Sequence, residues 1–477
     1  MKLASGWFKR ALMWLFGSLL VLIMLAVGVL MHFGIPQNAA GMAAKGICSA
    51  AFVAGRPRQD LLAQDVLPAS PVLALIKADI DEASHSVTAR FAGLVSRRAV
   101  LLRHRGCVLD LAPDATAQAY APQADTGQPW PKGEAALAAS QWGDGVDAEK
   151  LKTIAESVFV GAGDPQAANA RGFAVIQHGR MLVLRNAPGF AAGTGLHGWS
   201  MTKTITGMLV HKLAQDRGLA LDAAVIDAFS DGREPPWVAY WRRDAHKTIK
   251  VSDLLYMRDG LATTEDYAPW GSVPHMLWGT PDTAAWAASH AVEATPGTRW
   301  RYLSATANLL AAVARGRFAT DAEYWSYPGK ALFEPIGAKS ALLETDTNGN
   351  WVGSSYLWAS VGDWARLGQL MLDDGKWDGQ QVLPAGWLKL ASTPATSDGE
   401  GPGYGAMSWR YGNPQAGLCR NQAGVPADTV VMGGHWGQIV AVVPSRDAVI
   451  VRLGWTFRRD QFDACKLLAD VLAALQP

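Results

Sequence analysis

The longest apolar run of the chain lies at its N-terminus. No Lys, Arg, Asp or Glu occurs between Ala11 and Ala44. The strongly apolar part, Ala11 to Met31, would measure about 31 Å as a helix, which matches a hydrocarbon core. It is longer than the roughly 7–15 apolar residues of a signal peptide. Lys2, Lys9 and Arg10 precede it, so the positive-inside bias keeps the N-terminus in the cytoplasm and exports everything after Gly34. The pattern predicts a single-pass anchor in contact with the lipid bilayer through residues 11–33. A cleaved signal is the alternative, because Ala39-Ala40 and Ala43-Ala44 would suit a processing site.

Beyond the anchor the periodicity changes. Ser86–Phe91 and Ala99–His104 alternate like strands joined by a turn, and Gly106-Cys107 closes a small unit over residues 46–115. Residues 116–145 belong to a stretch rich in Ala, Pro, Gln, Asp and Gly, the composition of a linker. A larger domain follows over 146–477. It opens with a helix, Asp147–Val158, and two β-rich runs flanking His178-Gly179, a hairpin signal. Ile205, Met208, Leu209 and Leu213 then mark one face of a helix over Thr204–Arg217, stopped at Gly218. Further helices are predicted over Lys250–Tyr256, Thr306–Val313, Gly362–Leu372 and Phe462–Leu475. Thr429–Met432, Gln438–Val443 and Val449–Gly454 read as a three-stranded meander. The fold class is therefore α+β: an antiparallel sheet drawn from both ends of the domain, flanked by helices, with a helical insertion between.

Composition narrows the function. With 49% hydrophobic and 18% charged residues, the 477-residue chain can bury a large core. A net charge of +1 gives no footprint for nucleic acid. Cys48, Cys107, Cys419 and Cys465 form no C-x-x-C pair, no His/Cys cluster has metal-ligand spacing, and no cofactor motif is present. Export puts these cysteines in an oxidising compartment. Cys48–Cys107 with Cys419–Cys465 is the sequence-local pairing, one of three connectivities.

The chemistry concentrates at His197-Gly198-Trp199-Ser200-Met201-Thr202-Lys203. Ser200 is the only serine with a lysine three residues on. At i and i+3 on a helix the hydroxyl and the amine share a face, beside the electropositive helix N-terminus. Ser-x-x-Lys alone recurs by chance about once in a chain of this size. Three other features stand out. Arg301-Tyr302-Leu303-Ser304 puts a phenol between a turn and a helix. Gly433-Gly434-His435-Trp436-Gly437-Gln438 leads into a strand, where backbone N–H groups can serve as oxyanion donors. Glu265-Asp266-Tyr267 sits in a loop. His197 stands near Ser200 and has a packing role as its simpler explanation.

In this order the motifs Ser200-x-x-Lys203, Tyr302-Leu-Ser304 and His435-Trp-Gly437 resemble those of the serine β-lactamase and penicillin-binding-protein superfamily. Class C β-lactamases, family VIII-type esterases and nylon-oligomer (6-aminohexanoate-dimer) hydrolases are the nearest branches. The resemblance covers about residues 146–477, including Asp363-Trp-Ala-Arg-Leu-Gly368 and Val443-Pro-Ser-Arg-Asp447. It implies a β-lactamase/transpeptidase-like fold and a periplasmic serine hydrolase of the bacterial inner membrane. Its substrate would be a small ester, amide or peptide-like molecule, cleaved without metal or cofactor. By resemblance Ser200 is the acylated nucleophile, and Lys203 and Tyr302 share the proton work, with the acylation base undecided between them. The N–H groups of Ser200 and Gln438 form the oxyanion hole, and Ser304, His435, Trp436, Gly437 and Tyr267 hold substrate.

Two positions depart from the family pattern. His435-Trp436-Gly437 stands where Lys-Thr-Gly is frequent, and Ser304 where the second motif often ends in Asn. Both changes favour an esterase or amide hydrolase over a β-lactamase or D-amino-acid peptidase. A catalytically silent envelope binding protein is the alternative from another class. No G-x-S-x-G surrounds Ser200, which sets the chain apart from α/β-hydrolases.

Overall fold

The computed structural model describes residues 3–110, 128–230, 232–395, 403–414 and 416–476. Its centre is a five-stranded antiparallel sheet in the order Val430–Gly434, Gln438–Val443, Ala448–Gly454, Ala170–Gln177 and Arg180–Asn186. The C-terminal meander thus pairs with the N-terminal hairpin, as the sequence pattern predicts. Both faces are covered, and the period of two divides the apolar residues between them. Val440, Val442, Ala174 and Ile176 enter the main core, while Ile439, Ala441, Val443, Phe173 and Val175 enter a second cluster. The helix Val361–Leu372 packs on the first face. Ala148–Ser157, capped by Asp147, and Ala464–Leu472, capped by Asp463, bring apolar residues to the second.

The helical insertion lies between Met201–Asp216 and Val361–Leu372 in the chain and includes the long buried helix Ser304–Arg315. Both disulfides follow the sequence-local pairing, Cys48–Cys107 and Cys419–Cys465.

The N-terminal segment departs from a simple anchor and apron. The first helix spans Leu3–His32, and Leu12–His32 is long and apolar enough to cross a membrane. Gly34, at φ +65°, turns the chain directly into a second helix, Ile35–Cys48. This helix is deeply buried. Ala39-Ala40 and Ala43-Ala44, the small residues that would suit a processing site, are core residues here. Gly41 lets it approach the insertion, since a Cβ there would lie only 3.0 Å from the Cβ of Trp278. The small unit is a four-stranded antiparallel sheet, Ile76–Asp81, Ser86–Phe91, Val95–Leu102 and Gly106–Leu109, against which the second helix packs. Its apolar residues join the same core as the hydrolase-like domain. The expected linker 116–145 lies outside the described residues up to 127. From Gln128 onward it packs on the domain, with Leu137 N–H donating to Met181 C=O and Trp142 buried.

One buried carboxylate ties these parts together. Glu344 accepts hydrogen bonds from Ser49 Oγ at 2.8 Å, the Cys107 N–H at 2.7 Å and Trp358 Nε1 at 3.3 Å. It also pairs with Lys45 at 3.4 Å, on the second helix. Burial pulls the Lys45 pKa down, against the pull of Glu344. Removing one partner of such a pair strands the other charge, at a cost of about 3–5 kcal/mol. Glu344→Leu is therefore expected to lower the Tm of the full-length protein by several degrees, and adding Lys45→Met to recover part of the loss. A Tm unchanged in Glu344→Leu contradicts this assignment.

Candidate active site

The helix Met201–Asp216 begins immediately after Ser200. A serine at this position usually spends its hydroxyl on a capping bond. Ser200 does not: its backbone is already helical and its side chain makes no cap. The preceding residue, Trp199, sits at φ +48°, a conformation costly for a bulky side chain. Edge-on contacts to His435 and Trp436, with centroids at 5.4 and 5.0 Å, hold its ring. Ser200 is 8% exposed, at the floor of a cleft.

Lys203 is fully buried beside it. Its Nζ lies 2.9 Å from Ser200 Oγ, 2.9 Å from Ser304 Oγ and 3.1 Å from the Ser354 carbonyl. As an ammonium it donates to all three. As an amine it keeps two donor bonds and offers its lone pair to the Ser200 hydroxyl. Burial lowers its pKa to about 8, opposed by the charge of Glu265. Tyr302 stands over the amine, with Nζ 4.8 Å from its ring centroid, and stacks on Trp409 at 5.0 Å. Burial holds its phenol well above its ordinary pKa, opposed by the neighbouring Ser200 hydroxyl. The neutral phenol can donate a proton, and the amine is the group that can accept one near neutrality.

Glu265 has a place that no sequence motif assigned. Its carboxylate accepts from Ser304 Oγ at 2.7 Å and from the Ser304 N–H at 2.6 Å, at the start of the helix Ser304–Arg315. The Ser304 hydroxyl is thereby fixed between carboxylate and amine. Only its position two residues before Tyr267 hinted at this. Tyr267 has the Ser200 and Ser304 hydroxyls as neighbours of its phenol, and its ring stacks on His435 at 4.3 Å.

Ser200, Tyr267, Tyr302, His435, Trp436 and Gly437 line one cleft of about 690 Å³. Lys203 and Ser304 are buried behind Ser200. His197 serves packing: it stacks on Trp358 at 4.7 Å and donates from Nε2 to the Ser355 carbonyl, and burial lowers its pKa to about 3.

The expected oxyanion donor at Gln438 needs correction. Val431 exchanges both backbone bonds with Trp409, on the outer side of the edge strand. Alternation in an antiparallel ladder then turns Gly433 outward and Gly434 inward, toward its partner Gln438. Gln438 therefore lies on the inner strand with its backbone directed into the ladder, and its side chain bonds across to Gly454. The edge strand meets the Ser200 turn at its end, where a Cβ on Gly434 would collide with the Gly198 carbonyl. The last outward N–H of the strand belongs to Gly433, which lines the cleft.

The β-lactamase family model matches residues 157–473. Among solved structures, a "putative beta-lactamase" from Bacteroides dorei DSM 17855 is 15% identical with a TM-score of 0.53, covering 69% of this chain and 99% of that one. A "putative 6-aminohexanoate-dimer hydrolase" from Bacillus anthracis is 18% identical with a TM-score of 0.51, covering 64% and 76%. A penicillin-binding-protein homologue from Caulobacter crescentus is 16% identical with a TM-score of 0.50, covering 69% and 99%. Identities this low speak for the fold alone. No curated protein matches the chain. The family match, spanning about two thirds of the chain and every motif of the cleft, carries the assignment: this chain belongs to the β-lactamase family, whose members are usually serine hydrolases.

Proposed function

We propose that this protein is a membrane-anchored periplasmic serine hydrolase that cleaves an ester or amide through an acyl-enzyme on Ser200. The observation that carries the reading is the buried Lys203 amine 2.9 Å from Ser200 Oγ, with a pKa lowered to about 8. Neutral Lys203 takes the proton as Oγ bonds to the carbonyl carbon. The N–H groups of Ser200 and Gly433 hold the oxyanion. Collapse breaks the C–O or C–N bond, and Tyr302 hands a proton to the departing oxygen or nitrogen while Lys203 restores it. Water then attacks the acyl carbon, gives its proton to the same pair, and Ser200 leaves as the hydroxyl.

β-Lactam or D-amino-acid peptide cleavage, the alternative within the fold, gains no support from the third motif. His435 stands where a lysine would meet a substrate carboxylate, and burial lowers its pKa to about 3, so it carries no charge at neutral pH. Tyr267, Trp436 and Gly437 complete the substrate surface, while Ser304, buried behind Ser200, holds the amine instead of the substrate.

The helix beyond the apolar span supports anchorage through Leu12–His32 in the bacterial inner membrane. That helix, Ile35–Cys48, is part of the core, so cleavage at Ala40 or Ala44 would excise packed structure. The two disulfides suit an exported domain.

A fluorophosphonate probe is expected to label Ser200 in the full-length protein and to leave Ser200→Ala unlabelled; equal labelling of the variant overturns the reading. Lys203→Met is expected to reduce kcat/KM for an activated ester by about 10³-fold or more and Tyr302→Phe by about 10²-fold. A Lys203→Met enzyme within tenfold of wild type, by about 1.4 kcal/mol of barrier, would exclude the amine as base.

A further inference from the structure

A second cavity, of about 270 Å³, adjoins the cleft and shares Tyr267, His435 and Trp436 with it. Its other walls are Ile35, Ala39 and Met42 from the second helix, Val72 and Leu73 from the small unit, and Trp278. No Asp, Glu, Lys or Arg lines it. The stacked rings of Tyr267 and His435 line both cavity and cleft and mark where the two spaces meet.

The position of this cavity points to its occupant. Ile35 is three residues past the end of the apolar span Leu12–His32, less than one helical turn from where a bilayer surface would lie. Large apolar side chains are exposed next to it: Phe33 (50%), Leu75 (52%) and Trp270 (60%). The last two are near neighbours in sequence of the cavity residues Leu73 and Pro269. An aromatic at a membrane–water boundary is a common anchor. An uncharged cavity that adjoins the cleft and lies close in the chain to exposed apolar side chains and to the end of the apolar span fits a hydrocarbon chain.

We propose that this cavity takes the acyl tail of an amphiphilic ester or amide drawn from the outer surface of the bilayer, with the scissile carbonyl at Ser200. The inference rests on the hydrolase and anchor readings above and adds the substrate class: a membrane lipid or lipid-like conjugate. The tail passes over the residues that the two spaces share, Tyr267, His435 and Trp436.

The test uses full-length protein in phosphatidylcholine vesicles, with two readouts. In the Ser200→Ala protein, a phosphatidylcholine carrying a diazirine at the end of one acyl chain is expected to cross-link to residues 35–42 and 69–73. Cross-links confined to the membrane span overturn the proposal, whether or not any ester is hydrolysed. In the wild type, kcat/KM for p-nitrophenyl decanoate is expected to exceed that for the acetate by about tenfold or more, the worth of a few buried methylenes. Ala69→Trp, at the half-buried rim, and Val72→Trp are each expected to lower that decanoate-to-acetate ratio about tenfold. Ser200-dependent turnover with no preference for the longer chain, and no cross-link in the cavity, would sink the tail site and leave the hydrolase reading intact. Cross-links in the cavity without turnover of either ester would sink the hydrolase reading and keep the tail site.

Discussion

The site depends on the burial of one amine. Lys203 has no carboxylate in direct contact; its three neighbours are two hydroxyls and a carbonyl. Desolvation without a compensating ion pair lowers an ammonium's pKa, and the surroundings keep that condition strict. Ser304 stands between Lys203 and Glu265, so the carboxylate moderates the shift without cancelling it. Tyr302, held by stacking on Trp409, closes the solvent side. The serine hydroxyl, not spent on a helix cap, is free to meet the amine.

The N-terminal segment bears on the same point through packing. From the second helix, Ser49 and Lys45 reach Glu344, Glu344 holds Trp358, Trp358 stacks on His197, and His197 lies against Trp199 at 4.4 Å. Trp199 is the strained residue that presents Ser200. Helix, sheet and catalytic turn therefore share one core. The segment after the apolar span packs into the core that positions the cleft.

Strong periodicity made the central sheet and the helices Met201–Asp216 and Val361–Leu372 readable from sequence, because both patterns reflect burial on defined faces. The helix Ile35–Cys48 was not readable. Its Ala- and Gly-rich residues carry little amphipathic contrast, and its burial comes from close approach to Trp278 and the small sheet. The strand Ile76–Asp81 is an exposed edge with charged alternate residues, so it lacked an apolar signature. In the site, Ser200, Lys203, Tyr302 and Ser304 fall together because short motifs on helix starts carry their geometry with them. The second oxyanion donor did not, since the direction of a backbone N–H depends on ladder register and leaves no trace in side-chain identity. Glu265 escaped for a related reason: its partner, Ser304, is 39 positions away.

The central claim is that Ser200 is activated by a neutral Lys203. It is tested most directly by the rate of fluorophosphonate labelling of Ser200 as a function of pH. Deprotonation creates the base, so the rate is expected to rise with pH through a single midpoint near 8 and then level off. In Glu265→Gln, which removes the charge that raises the Lys203 pKa, the midpoint is expected to move down. A rate independent of pH between about 6 and 9, or a midpoint near the ordinary lysine value of about 10.4, would contradict the account.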